Sequence, residues 1–569
     1  MTKFLIVSIL FSCLSLHLFA NRIGIKIQDF GAIANDGKDD TKAFDVAFKK
    51  MASHKNKACT LVLEKGIYNL ENPKNKPNLF ELQNLNNLFL EGHESILMMN
   101  GFFGLFYFNQ CINVQISGIT IDMESLPFTC GKVISNGFDY FDLKVDSQQP
   151  TREGMALQAV TFYDTIHQSV GNQKVDYYQE KEPQRTSVLQ ASGLLRFFVK
   201  NPWGVPKQGN NLIVRHEIYG NDAFYFDQCK NTIITDVQIY AAPGMGIVGN
   251  TSENFTIKRV KIIPKPGSGR WMSTTADAMH FENCRGSIVI EYCGFKAMGD
   301  DAVNTHSYFM KVKQQVGNNQ LVLENGRIPD LRLLSFNPGD TLAIGSDTNP
   351  LIVSRKVKVI ESKFDNATKT VVLTTEKFDA PIKAGQIVWS TSLTPSLTVK
   401  NCVITGNRAR GILAQTSNVI IDSNQFIRCS GSAIHVSCDA SYWWEGPGVK
   451  NVRITHNTID SCNYGVGSTE ATIDIYAEFA GKNAGEGVHQ NISIENNLFR
   501  NNEGYAIHCG SAIDVHVGKN KFLGQAQGAV LIDKSNQVTI DSNIWKRDLV
   551  KKREVGMDNK IIISNNEGF

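Results

Sequence analysis

Asp277 lies in Ala276-Asp277-Ala278-Met279-His280, and a pair of acids follows in Gly299-Asp300-Asp301-Ala302-Val303-Asn304. The 23 residues from Asp277 to Asp300 match an interval that recurs later in segments without acids, so a coil of that length would stack the carboxylates. Neighbouring coils would stand roughly 4.8 Å apart, the ordinary interstrand distance. Three carboxylates so close cannot all ionise freely, and at least one holds its proton to higher pH. A protonated acid beside a carboxylate is what glycosidic bond cleavage needs: one group protonates the leaving oxygen while the other activates water or attacks carbon. Acidic ladders also bind calcium or shape bends. Stacking alone fits an inverting or a retaining outcome.

The elements that must hold these acids read as a solenoid. An apolar-x-x-Asn-x-apolar pattern places Asn at 401, 424, 457, 497, 520 and 543, with three of the five intervals equal to 23 residues. Short β-branched runs such as Val419-Ile420-Ile421, Ile492-Ser493-Ile494 and Val538-Thr539-Ile540 accompany them and alternate as strands do. One such unit cannot bury its apolar face alone, whereas stacked copies share a continuous core. The fold class is therefore all-β, a right-handed parallel β-helix.

Asp277-Ala278-Met279-His280 aligns over Asp301-Ala302-Val303-Asn304, and Ser432-Ala433-Ile434-His435 and Tyr505-Ala506-Ile507-His508 continue the series. Ala and the aliphatic residue alternate with polar ones, so the polar positions share one outer face. That face carries Asp277, His280, Asp301, Asn304, His435 and His508. His306, two residues beyond Asn304, is a further ligand-binding candidate.

Residues 1–20 are expected to be a signal peptide, with the apolar run Phe4 to Ala20 cleaved near Ala20 and the product exported to the periplasm or medium. Residues 21–124 form an N-terminal cap and first coils, in which Asp40 or Thr41 caps an amphipathic segment from Lys42 to Met51. Two stretches break the rhythm. Residues 125–220 read as a β-rich, barrel-like insertion, and residues 308–395 as a small β-barrel with turn signals such as Pro338-Gly339-Asp340. Coils with the aspartates fill 221–307, and C-terminal coils fill 396–569.

The net charge of +3 over 569 residues gives no electrostatic reason to expect nucleic acid or anionic lipid. No stretch after the leader is long enough to cross a bilayer as a helix. The 12 cysteines show no CxxC and no zinc spacing, and those in strand patterns read as small buried hydrophobes.

Thr274 to His306, with both aspartate segments, resembles the core motif of glycoside hydrolase family 110, bacterial exo-acting α-1,3-galactosidases that include enzymes removing the terminal galactose of blood group B antigens. Arg408-Ala409-Arg410-Gly411-Ile412-Leu413 and Tyr442-Trp443-Trp444-Glu445-Gly446-Pro447 are similar to that family as well. The resemblance implies a β-helix with inserted barrels, inversion of configuration, no metal or organic cofactor, and an α-1,3-galactosyl glycan as partner. It makes Asp277, Asp300 and Asp301 the essential aspartates, with the division between acid and base left open. Trp443, Trp444 and Glu445 follow the strand bearing His435, where an aromatic platform and a hydroxyl acceptor fit a galactose. Arg410 reads as a fork-like donor to sugar hydroxyls or as half of an ion pair.

Three other readings share the solenoid. A polygalacturonase-like hydrolase would want Gly-His-Gly after Asp301 and an Arg-x-Lys grip on carboxylated sugars, and neither is present. A pectate lyase would use a basic residue with calcium. A non-catalytic adhesin or tail-spike-like module would bind glycans without turnover.

Overall fold

The computed structural model describes residues 22–54, 57–149, 151–178, 187–199, 204–325, 336–545, 550–556 and 559–568. The expected signal peptide lies outside them. Among the described residues no helix is long and apolar enough to cross a membrane.

The chain winds into a parallel β-helix whose coils stack in register. One sheet of 14 strands carries the aspartate coils, and a second of 25 strands forms the remaining surface. Along the first sheet run β1 (Phe224–Asp227), β2 (Ile247–Asn250), β3 (Met279–Glu282), β4 (Val303–Tyr308), β5 (Ile412–Ala414), β6 (Ile434–Ala440), β7 (Ala471–Phe479), β8 (Tyr505–Gly510) and β9 (Gly528–Asp533). Each pairs in parallel with the next. Because side chains alternate, Met279, Val303, Ile412, Ile434, Ile473 and Ile507 point into the core and are fully buried, while their neighbours face outward.

A polar ladder holds the coils in register. Inside, Asn424, Asn457, Asn497, Asn520 and Asn543 each donate from Nδ2 to the Oδ1 of the next, at 3.0 to 3.1 Å, the last to Asn566. Each Oδ1 also accepts a backbone N–H, so the buried amides are satisfied. Asn401 was expected in this series and is not: Cys402 takes its place and donates its N–H to Asn424 Oδ1, while Asn401 lies outside at φ 54°. The one-residue offset turns that side chain to the other face.

The helix α1 (Thr41–Ser53) buries Ala43, Phe44, Ala47, Phe48 and Met51 over the first coil. Neither Asp40 nor Thr41 caps it with a side chain. Asp40 instead accepts N–H bonds from Ile33 and Asn69, tying the entry segment to the coil.

The second insertion is a closed six-stranded barrel within Met310–Ser390, anchored to the solenoid by the Arg285–Asp340 ion pair at 2.6 and 2.7 Å. The first, expected to be barrel-like, forms an open antiparallel sheet between Phe128 and Arg215 among the described residues. Its edge strand Val188–Ala191 is exposed throughout and among the described residues pairs on one side only, with Leu194–Phe198. The eleven cysteines from Cys59 to Cys509 are buried and unbridged.

Candidate active site

Asp277 and Asp301 stand at the turns leading into β3 and β4, and the pairing of Met279 with Val303 sets Asp277 over Asp301. The turns nearly touch: a Cβ on Gly299 would lie 2.1 Å from the carbonyl oxygen of Thr275, so only glycine fits. Arg215, the last residue of the first insertion and fully buried, donates from Nη1 to the carbonyls of Thr275 (3.1 Å) and Gly299 (3.2 Å). A residue of the insertion thus staples the two acid-bearing turns.

One carboxylate oxygen from each of Asp277, Asp300 and Asp301 lies within 4.8 Å of the others. Asp301 is 1% exposed; it accepts from Arg410 Nη2 and from the Arg410 backbone N–H, both at 2.8 Å. Asp277 accepts the Asp301 N–H at 3.1 Å and His280 Nδ1–H at 2.7 Å. Asp300 is the most open of the three; it pairs with Arg408 at 2.8 Å and accepts Tyr219 OH at 3.1 Å. Arg408 is held from behind by Asp176, which also stands 3.7 Å from Arg215.

Burial raises Asp301 well above the carboxylate range, with Arg410 pulling the other way and the neighbouring aspartates adding to the rise. Asp277 is raised by burial as well, against the hydrogen bond from His280. Burial opposes charge on His280, yet Asp277 outweighs it and pushes the imidazole up to about 9. His306 is held well below its ordinary range by burial and by His280. With His280 protonated, four acids (Asp176, Asp277, Asp300, Asp301) face four cations (Arg215, Arg408, Arg410, His280).

Glu445 comes within 3.9 Å of His306 Nε2 and is pushed up to about 7 by burial. Asn304 pairs with His280 along the ladder and keeps a buried Oδ1 without a partner. Asp222, which the sequence reading missed, is buried nearby and pushed up to about 6 by burial; it accepts the Met245 N–H at 2.7 Å.

Not every expected residue joins this cluster. Trp444 packs beside the apolar group of Phe309, Trp389 and Cys438, so it is a packing residue rather than a platform, while Trp443 remains 50% exposed. His435 and His508 sit further along the same face, around Asp474: His508 donates to it at 2.7 Å and His435 stands at 3.6 Å. Burial lowers His435 to about 4. Asp474 was hidden in the sequence because Thr472 stands where other coils have Ala. Arg408 was visible in Arg408-Ala409-Arg410, but Asp176 and Arg215 come from the insertion and carry no local signal.

Among the described residues, two groups have donor atoms close enough for a cation: the aspartate trio, and His280 with Glu282 and His306. In both the donors are already engaged, the trio by two guanidiniums and an imidazole, and Glu282 by Tyr308 OH at 2.7 Å. The arrangement suits proton transfer between carboxyls of unequal basicity.

Residues 347–479 and 386–545 match the family model described as a right handed beta helix region, which fits the winding. Among solved structures, a GH87 alpha-1,3-glucanase catalytic unit from Streptomyces thermodiastaticus is 10% identical, with 96% of this chain and 68% of that one covered and a TM-score of 0.45. Alpha-1,3-galactosidase A of Shewanella woodyi is 27% identical over 507 residues, 84% of this chain and 82% of the relative. Alpha-1,3-galactosidase A of Bacteroides fragilis is 29% identical over 440 residues, 74% and 71% of the two chains. Over most of its length, then, this chain is a homologue of proteins named alpha-1,3-galactosidase, the family its aspartate segments resemble.

Proposed function

We propose that the protein is an exo-acting glycoside hydrolase that removes terminal α-1,3-linked galactose from glycans, and that Asp277, Asp300 and Asp301 supply the acid and the base. The observation that carries this is the trio itself: three carboxyls within 4.8 Å, two of them raised by burial and all engaged by cations. A carboxyl that keeps its proton at neutral pH can protonate the glycosidic oxygen, and an ionised neighbour can take a proton from water. The names of the homologues support galactose in an α-1,3 linkage.

Branched, blood group B-type galactosides are the proposed substrates, with linear α-1,3-galactosides as the alternative. Inversion at the anomeric carbon is proposed from the sequence resemblance. Export after cleavage near Ala20 is part of the proposal, and sequencing the mature N-terminus tests it.

The decisive experiment is product analysis on branched and linear α-1,3-galactosyl oligosaccharides, with NMR of the first-formed anomer. Free galactose released by the wild type and not by a folded Asp301→Asn variant is the expected result. Glycan binding without turnover would instead establish a lectin-like solenoid, and loss of activity to a chelator would point to the calcium-dependent lyase chemistry.

A further inference from the structure

Beyond the trio, the outer face of the same sheet opens into a cavity of about 630 Å³. Residues of β6 to β9 and the turns before them line it, including His435, Asp474, His508 and Asp533. The register carries this face over without a break: His280, Asn304, Leu413, His435, Asp474 and His508 follow one another on successive strands. At about 4.8 Å per strand, the cavity begins about 10 Å from Asn304 and reaches about 19 Å at His508. His435 stands on the boundary, lining the cavity and near enough to Arg410 to feel its charge.

The floor is built of polar side chains. Nδ1 of His508 bonds to Asp474 at 2.7 Å, which leaves Nε2 as the ring's remaining polar atom. That Nε2 has no hydrogen-bond partner, and neither does Oδ1 of Asp533; Nε2 and Asp533 Oδ2 stand 3.9 Å apart. Both residues are more than nine-tenths buried. Buried polar atoms left without partners are costly, and a sugar hydroxyl can donate to Asp533 Oδ1 and either donate to or accept from Nε2. Five carboxylates line the cavity against two cations, Lys174 and Arg553, and Arg553 is already paired with Glu470 at 3.0 Å. Such a wall repels carboxylated or sulfated sugars and suits uncharged ones.

We propose that this cavity binds the part of the glycan on the leaving-group side of the cleaved bond, as a run of uncharged, hydroxyl-rich sugars. This rests on the reading of the trio as the galactose-cleaving site. It makes the enzyme a reader of oligosaccharide length, with binding from remote rings contributing to turnover of long substrates.

The test uses the full-length protein with neutral α-1,3-galactosyl di-, tri- and pentasaccharides sharing one terminal linkage. In the wild type kcat/KM rises at least tenfold from disaccharide to pentasaccharide; in Asp533→Asn and in Glu503→Ala, at an exposed lining residue, the ratio falls toward one. A pentasaccharide with a carboxylated sugar on the leaving side shows no gain. Equal kcat/KM at all lengths in the wild type overturns the proposal, as does an unchanged ratio in both variants; if Asp533→Asn does not fold, Glu503→Ala decides. Should no galactoside be cleaved at all, the reading of the trio fails, and calorimetric titration of a galactose-free neutral tetrasaccharide judges the cavity alone. Saturable binding weakened by Glu503→Ala sustains it, and absence of binding overturns it.

Discussion

Nε2 of His280 and Nε2 of His306 stand 2.9 Å apart, so one must donate and the other accept. His306 Nδ1 faces the Ser307 carbonyl at 3.3 Å and therefore holds that ring's proton. His280 donates to both His306 and Asp277, which requires the imidazolium. Because its folded pKa, about 9, is above the unfolded one, its stabilisation is complete below about pH 6.5 and fades as pH rises through 9. The stability gap between wild type and His280→Gln should narrow by on the order of 3 kcal/mol from pH 6 to pH 9.5, measured by denaturant unfolding. A gap constant with pH would place the proton elsewhere.

Arg410 and Asp301 are coupled through two contacts at 2.8 Å. Arg410→Met removes the cation that opposes the burial-driven rise of Asp301, so the carboxyl is pushed higher still and loses two donors, at a cost of about 1 to 3 kcal/mol. Adding Asp301→Asn to that variant should recover more than half of the loss without restoring activity, a coupling that a double-mutant cycle reads directly.

Gly299 has no room for a methyl group. Gly299→Ala should push its turn away from Thr275, costing about 1 to 3 kcal/mol and at least tenfold in kcat, since the move separates Asp300 and Asp301 from Asp277. Thermal unfolding and galactose release check the two effects separately.

The adjacent tryptophans should behave differently. Trp444→Ala removes a ring packed against Phe309 and Trp389 and should cost about 3 kcal/mol, whereas Trp443→Ala at a half-exposed position should change stability by less than about 0.5 kcal/mol. Any rise in KM in the second variant would then report contact with the glycan.

The stacking of Asp277 on Asp301 was legible because the x-Ala-apolar-x pattern has the period of a strand, and that period decides which side chains share a face. The same logic located the Asn ladder from Asn424 to Asn543 and misplaced only Asn401, where Cys402 occupies the inner position. Hidden from it were the groups that surround the acids. Asp176, Arg215 and Tyr219 reach the cluster from the insertion and its exit, and no periodicity in the solenoid foretells where an insertion folds back. The packing of Trp444 was hidden because the group it sits beside, with Phe309 just before the barrel and Trp389 in its last strand, is far from it in sequence.

Arg215 gives the insertion a part in assembly. Its guanidinium reaches two carbonyls that belong to different coils, so the inserted sheet holds both turns at once. The acid-bearing face is in this sense written in two places in the chain. Anyone transplanting the aspartate coils into another solenoid would carry over the letters and lose the binding that keeps the pages together.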